Sequence, residues 1–343
     1  MRVAIFGLSG CGKSTLFRAL QGGAAGTGKS AGVCTLTVPD ERVEVMARLY
    51  NPRKVTHVAI TFEEVDPGGD GPVSGEAPAK IRNGEVLALV LRNFANDFHP
   101  APPEGLDPLR DFRKLEADLA TADYLVAQKR LERLEKEKKR DLEWSAVGRA
   151  VEYLEKEIPL RTVEFSAEEQ KALSGFRFLT LLPLVAVENV GEGEVEGATA
   201  GLAEAVAERG GSLVRLCARI EEEVAELPPE EQGAFLSDLG IAESARDRLV
   251  RAAYDAMQYI TFLTVGEDEV RAWTVRRGAT APVAAGRIHS DLEKGFIRAE
   301  VVHYDDLARL GSMAKAKAEG KFRLEGKEYV VRDGDIVHVR FNV

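Results

Sequence analysis

Residues 7–15 read Gly7-Leu-Ser-Gly10-Cys11-Gly12-Lys13-Ser14-Thr15 and follow the apolar run Val3-Ala-Ile-Phe6. An apolar strand that feeds a glycine-rich turn and then a helix is the context required by G-x-x-x-x-G-K-[ST]. The glycines let successive backbone amides curl round an anion. Lys13 can reach the outer phosphates of a nucleotide and the Ser14 hydroxyl can reach Mg²⁺. Thr15, Leu16, Phe17, Ala19 and Leu20 continue as a helix whose N-terminus faces the same phosphates. The residues in contact with phosphate are therefore Gly10, Cys11, Gly12, Lys13, Ser14 and Thr15. Binding is the stronger half of this reading, because hydrolysis needs more residues than the turn supplies.

The 343 residues are enough for two or three domains with buried cores. A net charge of −10 argues against DNA binding by bulk electrostatics, although a local basic face survives such an average. Cys11, Cys34 and Cys217 are sparse, odd in number and without metal-ligand spacing, which fits a reducing compartment. Met1-Arg2 leads directly into a strand, so neither a leader nor a membrane span is expected, and the chain is expected to be soluble and cytoplasmic.

Past the first helix, Gly22 to Gly32 reads as a mobile loop leading into the extended segment Val33–Val38. Thr35 is either an ordinary β-branched strand residue or a switch threonine that closes over Mg²⁺ and the terminal phosphate. Pro39 and Asp40 open a helix with Val43, Met46, Ala47 and Leu49 on one face. A second strand, Val58-Ala-Ile-Thr-Phe62, ends in Glu63-Glu64-Val65-Asp66-Pro67-Gly68-Gly69. A carboxylate there is placed to hold Mg²⁺ through water, and Asp66-x-x-Gly69 has the spacing of a turn whose glycine amide senses a terminal phosphate. The same four residues also make a good surface turn.

Glu85–Leu91 is a further buried strand, and prolines at 100, 102, 103 and 108 mark a boundary. Asp111–Leu142 and Trp144–Glu157 carry helical stripes, predicting a helical hairpin over 111–159 with alternating Lys and Glu at its tip. Ser166-Ala-Glu-Glu169 is a capping box, and Phe178–Val187 returns to strand. Glu188-Asn189-Val190-Gly191-Glu192 then falls at the carboxyl end of that strand, either as solvated loop or as groups that read a purine edge. Ser212–Ala218 is the last short strand of a mostly parallel sheet expected over 1–110 and 160–258.

From Tyr259 the pattern changes to short strands at 259–265, 270–275, 296–302, 327–331 and 336–341, predicting a small α+β domain over 259–343. Arg271, Trp273, Arg276, Arg277, Arg298, Arg323, His338, Arg340 and Phe341 put basic and aromatic groups on short strands. That mixture suits single-stranded nucleic acid, and equally suits plain cross-strand pairing.

The chain resembles the YchF/Obg-like ATPase subfamily of translation-factor-related P-loop proteins over nearly its whole length. The resemblance rests on the phosphate turn, Cys34-Thr35, Pro39-Asp40 with Arg42, Asp66 with Gly69, Phe94 with Asn96-Asp97, Asn189-Val190-x-Glu192 and Cys217-Ala218-x-Ile220-Glu221. In the C-terminal part it rests on Glu269–Val275, Gly278–Pro282, Ile288–Glu300 and Asp333-Gly-Asp335. It implies a Ras-like nucleotide domain with an inserted helical arm and a terminal TGS domain of β-grasp form. It further implies ATP in preference to GTP, with Asn189, Val190 and Glu192 reading the base and Ala218 beside it. Catalysis would rest on Lys13, Thr35 and Gly69, and Mg²⁺ on Ser14, Thr35 and Asp66. A ribosomal or RNA surface would be the partner of the arm and TGS domain, and the chain would act as a monomer. Three positions depart from the family pattern. Ser9-Gly10-Cys11 stands where Pro-Asn-Val is usual, Gly191 replaces an asparagine, and Asp70 replaces a hydrophobic residue ahead of a shortened segment to Lys80. A carboxylate near a terminal phosphate predicts slow hydrolysis.

Overall fold

Val3 to Phe6 are at most 1 % exposed, because the strand they form is flanked on both sides by other strands and covered on both faces. In a computed structural model, residues 1–22, 32–68, 71, 73–96 and 99–342 are described. Most of the glycine-rich stretch 22–32, together with Gly69, Asp70 and Asp97, lies outside them. The strands in chain order are β1 (Arg2–Gly7), β2 (Val33–Thr37), β3 (Lys54–Thr56), β4 (Ala59–Glu64), β5 (Val86–Asn93), β6 (Leu184–Val190), β7 (Gly211–Leu216), β8 (Tyr259–Val265), β9 (Glu269–Arg276), β10 (Phe296–His303), β11 (Arg323–Glu325) and β12 (Asp335–Phe341).

The chain forms two compact units, Met1–Leu36 with Ile60–Ala256, and Thr37–Ala59 with Met257–Val343. The first is organised on a six-stranded sheet in the order β2-β4-β1-β5-β6-β7. The pairings of β1 with β4 and β5, of β5 with β6, and of β6 with β7 are parallel, as the alternation of strand and helix predicts. One face is packed by Phe112, Leu115 and Leu119 of the helix Pro108–Lys136 and by Leu202 and Val206. The hairpin expected over 111–159 therefore begins inside the core of the first unit.

Farther along, that helix shares a core with the helix Leu142–Leu154 through Ala120, Ala127, Ala146, Val147 and Ala150, where the alanines allow close approach. Asp107 and Asp141 cap the two helices, accepting from Arg110 N at 2.9 Å and Trp144 N at 3.0 Å. Between them Arg130 grips Glu143 with two bonds of 2.8 and 2.9 Å. Asp123 anchors the base of the hairpin. Its carboxylate is fully buried and accepts from Leu179 N at 2.9 Å and from Thr180 N and Oγ1, each at 2.8 Å. Trp144 lies under the Arg140 guanidinium, 4.2 Å from the ring centre.

The second unit contains the sheet β11-β10-β12-β8-β9-β3. Its inner face buries Ile260, Phe262, Val275, Ala299, Val301, Val337 and Val339 against Ala284 and Ala285 of the helix Ala281–Ile288. Two expectations change here. Lys327–Val331 is not a strand: the edge strand is β11, and a turn from Gly326 to Tyr329 follows it. Residues 37–59, expected within 1–110, belong instead to this unit, because β3 runs parallel to β9 with Lys54 opposite Glu269. Polar bonds fix the insert. Thr56 Oγ1 donates to Glu269 at 2.6 Å, and Arg42 forks onto Asp40 at 2.8 Å while reaching Asp333 at 2.7 Å.

Candidate functional site

Gly7 ends β1 where any Cβ would stand 2.4 Å from the carbonyl oxygen of Val90, so the chain can turn only with glycine. Gly10 and Gly12 take φ of 75° and 88°, the left-handed region in which glycine carries no Cβ strain. A Cβ on Gly12 would also meet Asn189 Nδ2 at 2.2 Å. The turn closes with Cys11 N donating to Leu8 O at 3.3 Å, and the helix Lys13–Gln21 starts with Leu16 N donating to Gly12 O at 2.9 Å. Lys13 is buried, and its ammonium donates to the carbonyls of Gly7 at 3.1 Å and Leu8 at 3.2 Å. No carboxylate pairs with it among the described residues, so the ammonium stays free to take a stronger anionic partner. Burial pushes the Cys11 thiol up against the pull of Lys13, which makes it a packing group and not a nucleophile.

Asn189 braces this turn from the end of β6. It is buried, its Nδ2 donates to Cys11 O at 3.0 Å and its Oδ1 accepts from Ala218 N at 2.9 Å. One side chain thus ties the phosphate turn to the start of the helix Ala218–Glu226. Next to it, the fully buried Glu188 accepts from Asn93 Nδ2 at 2.8 Å and faces Arg215 at 2.8 Å, which holds the ends of β5, β6 and β7 in register.

The result is a cleft of about 820 Å³ in the first unit. Of the residues singled out from sequence, Gly10, Gly12, Lys13, Ser14, Thr15, Asn189, Val190, Glu192 and Ala218 line it, and Cys11 contributes through its carbonyl. Thr35 does not line it: its hydroxyl meets that of Thr61 at 3.0 Å. Asp66 is exposed and also outside the lining, and Gly69 is beyond the described residues. The carboxylate bonded to Ser14 is Glu64, at 2.6 Å. Phe94 and Asn96, quoted above only as positions of the resemblance, line it too. The sequence pattern assigns no role to Glu64, or to His99, Arg219 and Glu222 in the lining. Glu63-Glu64 at a strand end is a visible signal; the other three come from segments that carry no spacing of their own. At the mouth, Arg219 pairs with Glu192 at 3.0 Å and Arg18 with Glu222.

Over its full length, and over the full length of the relative, the chain is 40 % identical to the ribosome-binding ATPase YchF of Bacillus subtilis strain 168. The chain belongs to the YchF family. The YchF-GTPase_C family model, described as a protein of unknown function, matches residues 259–342. The YchF GTPase of Schizosaccharomyces pombe superposes with a TM-score of 0.86 at 28 % identity, over 99 % of this chain and 97 % of that one. A GTP binding protein from Pyrococcus horikoshii OT3 shares the fold with a TM-score of 0.62 at 19 % identity, over 100 % of both chains. Membership of the YchF family places the first unit among Ras-like P-loop NTPases, as the turn and the parallel sheet require. No described helix is long and apolar enough to cross a membrane.

Proposed function

We propose that the chain is a slow, Mg²⁺-dependent purine nucleoside triphosphatase that favours ATP over GTP and couples its nucleotide state to ribosome or RNA association. The observation that carries this reading is the phosphate turn itself: Gly10 and Gly12 in the left-handed region, a buried Lys13 held by the carbonyls of Gly7 and Leu8, and Asn189 bracing Cys11. These groups suit a polyphosphate. Amide donors of the turn and the start of the nine-residue helix would face the β-phosphate, and Lys13 would bridge to the terminal one. Ser14, with Thr35 and Asp66 once these two have moved into a cleft that neither lines here, would hold Mg²⁺, which when bound neutralises charge developing on the phosphates. Lys13 and the turn amides, with the amide of Gly69, would stabilise the transition state, with no glutamine of the Ras type to orient water. Asn189 spends one amide hydrogen on Cys11 O and accepts once from Ala218 N, so the remainder of its amide, with Val190 and Glu192 and beside Ala218, would face the base.

Residues 259–343 are read as the TGS domain of β-grasp form, and the arm and this domain as the ribosome-facing parts of a monomer. Relatives named as ribosome-binding ATPases support that half of the reading. Asp70 and the shortened segment to Lys80 favour a variant in which the protein is mainly a nucleotide-gated ribosome-binding module with little turnover.

The test is calorimetric titration with ATP, GTP and their diphosphates, with and without Mg²⁺. Micromolar or tighter binding that needs Mg²⁺ for the triphosphates is expected, and absence of binding to all four refutes the reading. Cosedimentation with ribosomes in ADP, in a non-hydrolysable ATP analogue and without nucleotide then separates an enzyme acting elsewhere from a nucleotide-gated ribosome binder.

A further inference from the structure

The loop that follows β6 has two sides. Gly191 and Glu192 line the nucleotide cleft, whereas Gly193, Val195 and Glu196 line a second cleft of about 640 Å³ in the same unit. The turn between them is closed by Glu194 N donating to Gly191 O at 3.2 Å, and Arg215 holds it with bonds of 2.8 and 3.0 Å to Glu194 O. Beneath it lies a small core of Val190, Cys217, Ile220, Val224 and Leu236, with Val195 and Ile241 packed against it. Val190 and Cys217 reach the nucleotide cleft, and Val195, Ile220 and Ile241 reach the second one. The two clefts therefore share a loop and a packed core.

The second cleft combines an apolar wall with three charges. Leu239, just past the helix Pro229–Asp238, leaves 48 % of its surface exposed in the same lining as Val195 and Ile241. Arg248 comes from the helix Ala245–Ala256. It is half-buried with its Nε shut off from water, yet no acceptor reaches its guanidinium among the described residues. Glu221 attracts it from a distance, but that carboxylate is committed to the amides of Ala245 and Arg246. Glu243 is likewise taken, accepting two bonds from Arg251 at 2.6 and 3.3 Å. Glu196 is exposed and pairs with no cation among the described residues. A desolvated guanidinium nitrogen without an acceptor is unfavourable, and a ligand that supplies one completes the cleft.

We propose that this second cleft is an effector site for a small apolar zwitterion, either a free amino acid such as leucine or a di- or tripeptide of apolar residues. The carboxylate takes the fork of Arg248, the ammonium goes outward to Glu196, and the apolar side chains cover Val195, Leu239 and Ile241. A plain anion fits less well, because two carboxylates line the cleft beside the one guanidinium. Occupancy fixes the shared loop from behind and alters the base end of the nucleotide cleft, through a linkage that runs both ways. The effector role rests on the nucleotide reading of the first cleft; binding of the zwitterion does not.

The experiment uses the full chain and three probes: leucine, leucyl-leucine, and octanoate, which keeps the carboxylate and apolar body without the ammonium. Calorimetric titration without nucleotide is expected to show leucine or leucyl-leucine bound at about 1 mM or tighter, and octanoate at least about threefold more weakly. The tighter zwitterion names the source. Arg248→Met is expected to weaken zwitterion binding about tenfold or more, as loss of a charge-assisted fork does. Glu196→Gln should weaken it about threefold and leave octanoate no weaker. Because Glu196 is exposed, that variant keeps the test open if Arg248→Met melts early. Absence of binding by both zwitterions at about 10 mM overturns the site. So does unchanged binding by Arg248→Met, or octanoate bound as tightly as leucyl-leucine. With zwitterion saturating, the ATP dissociation constant is expected to shift at least about threefold in the parent and not in Arg248→Met. An unshifted constant in the parent overturns the effector role. If the chain binds the zwitterion but neither ATP nor GTP, the nucleotide reading fails and the second cleft stands.

Discussion

At the phosphate end of the cleft Lys13 is 6 % exposed and Asn189 4 %, whereas at the other end the side chains of Glu192 and Arg219 are 55 % and 73 % exposed. The first end is made from backbone and buried amides whose partners are inside the protein. The second is made from long charged side chains paired in water. Buried hydrogen bonds hold their geometry because breaking one strands a polar group, at about 1–3 kcal/mol. An exposed ion pair holds within about 1 kcal/mol. The cleft is therefore preorganised for phosphate and adaptable toward the base, so most of the affinity should come from the invariant part of any nucleotide and little from its identity.

The strongest test of this contrast is Lys13→Ala, which removes the buried cation and leaves the base end intact. Triphosphate affinity by calorimetry should fall about a hundredfold or more, the scale of losing a charge-assisted bond in a desolvated site. Unchanged affinity would mean that the turn is not the phosphate site. Asn189→Ala comes next. It leaves Cys11 O and Ala218 N without their partner in a buried position, and should lower unfolding stability in urea by about 3 kcal/mol. Asn189→Asp keeps the acceptor for Ala218 N but turns an oxygen toward the carbonyl of Cys11, so it should recover less than half of that loss.

The phosphate end was legible because its conformation demands residues that no other sequence satisfies: the close approach of Gly7 to Val90 and the left-handed turns at Gly10 and Gly12 are written as glycines. The parallel sheet was legible from apolar runs. What was not legible depended on distant partners. β3 has three residues, and nothing local in Lys54-Val-Thr56 says that it pairs with a strand beginning at Glu269, so the pattern groups residues 37–59 with the first unit although they belong to the second. Tyr329 sits in a stretch with strand composition, yet its hydroxyl donates to Asp335 at 2.6 Å, and the turn from Gly326 takes the place of a ladder. Asp123 reads as a surface charge in a helical stripe until the amides of Leu179 and Thr180 arrive to bury it.

The metal side of the phosphate end separates two carboxylates that the sequence sets two residues apart. Glu64 is hydrogen-bonded to Ser14, whereas Asp66 is exposed and is the carboxylate proposed above for Mg²⁺. If Glu64 only parks the Ser14 hydroxyl, Asp66→Asn should weaken Mg²⁺-dependent triphosphate binding about tenfold, as loss of an outer-sphere partner does, and Glu64→Gln less than threefold. The reverse ranking would move the metal's carboxylate to Glu64.

The smallest effect belongs to the base end. A carboxylate accepts only, and guanine offers it donors that adenine does not, while Arg219 now occupies the Glu192 carboxylate from the solvent side. Arg219→Ala frees that acceptor, so GTP should gain on ATP by about threefold in the ratio of dissociation constants, with unfolding stability within about 0.5 kcal/mol of the parent. Glu192→Gln removes the acceptor charge and should shift the ratio the other way by a similar factor. Because both side chains are more than half exposed, neither change should alter binding of either diphosphate by as much as Lys13→Ala alters the triphosphates. A large, base-selective loss from either variant would show that the exposed pair is rigid when nucleotide is bound, and the two ends of the cleft would then differ in location but not in kind.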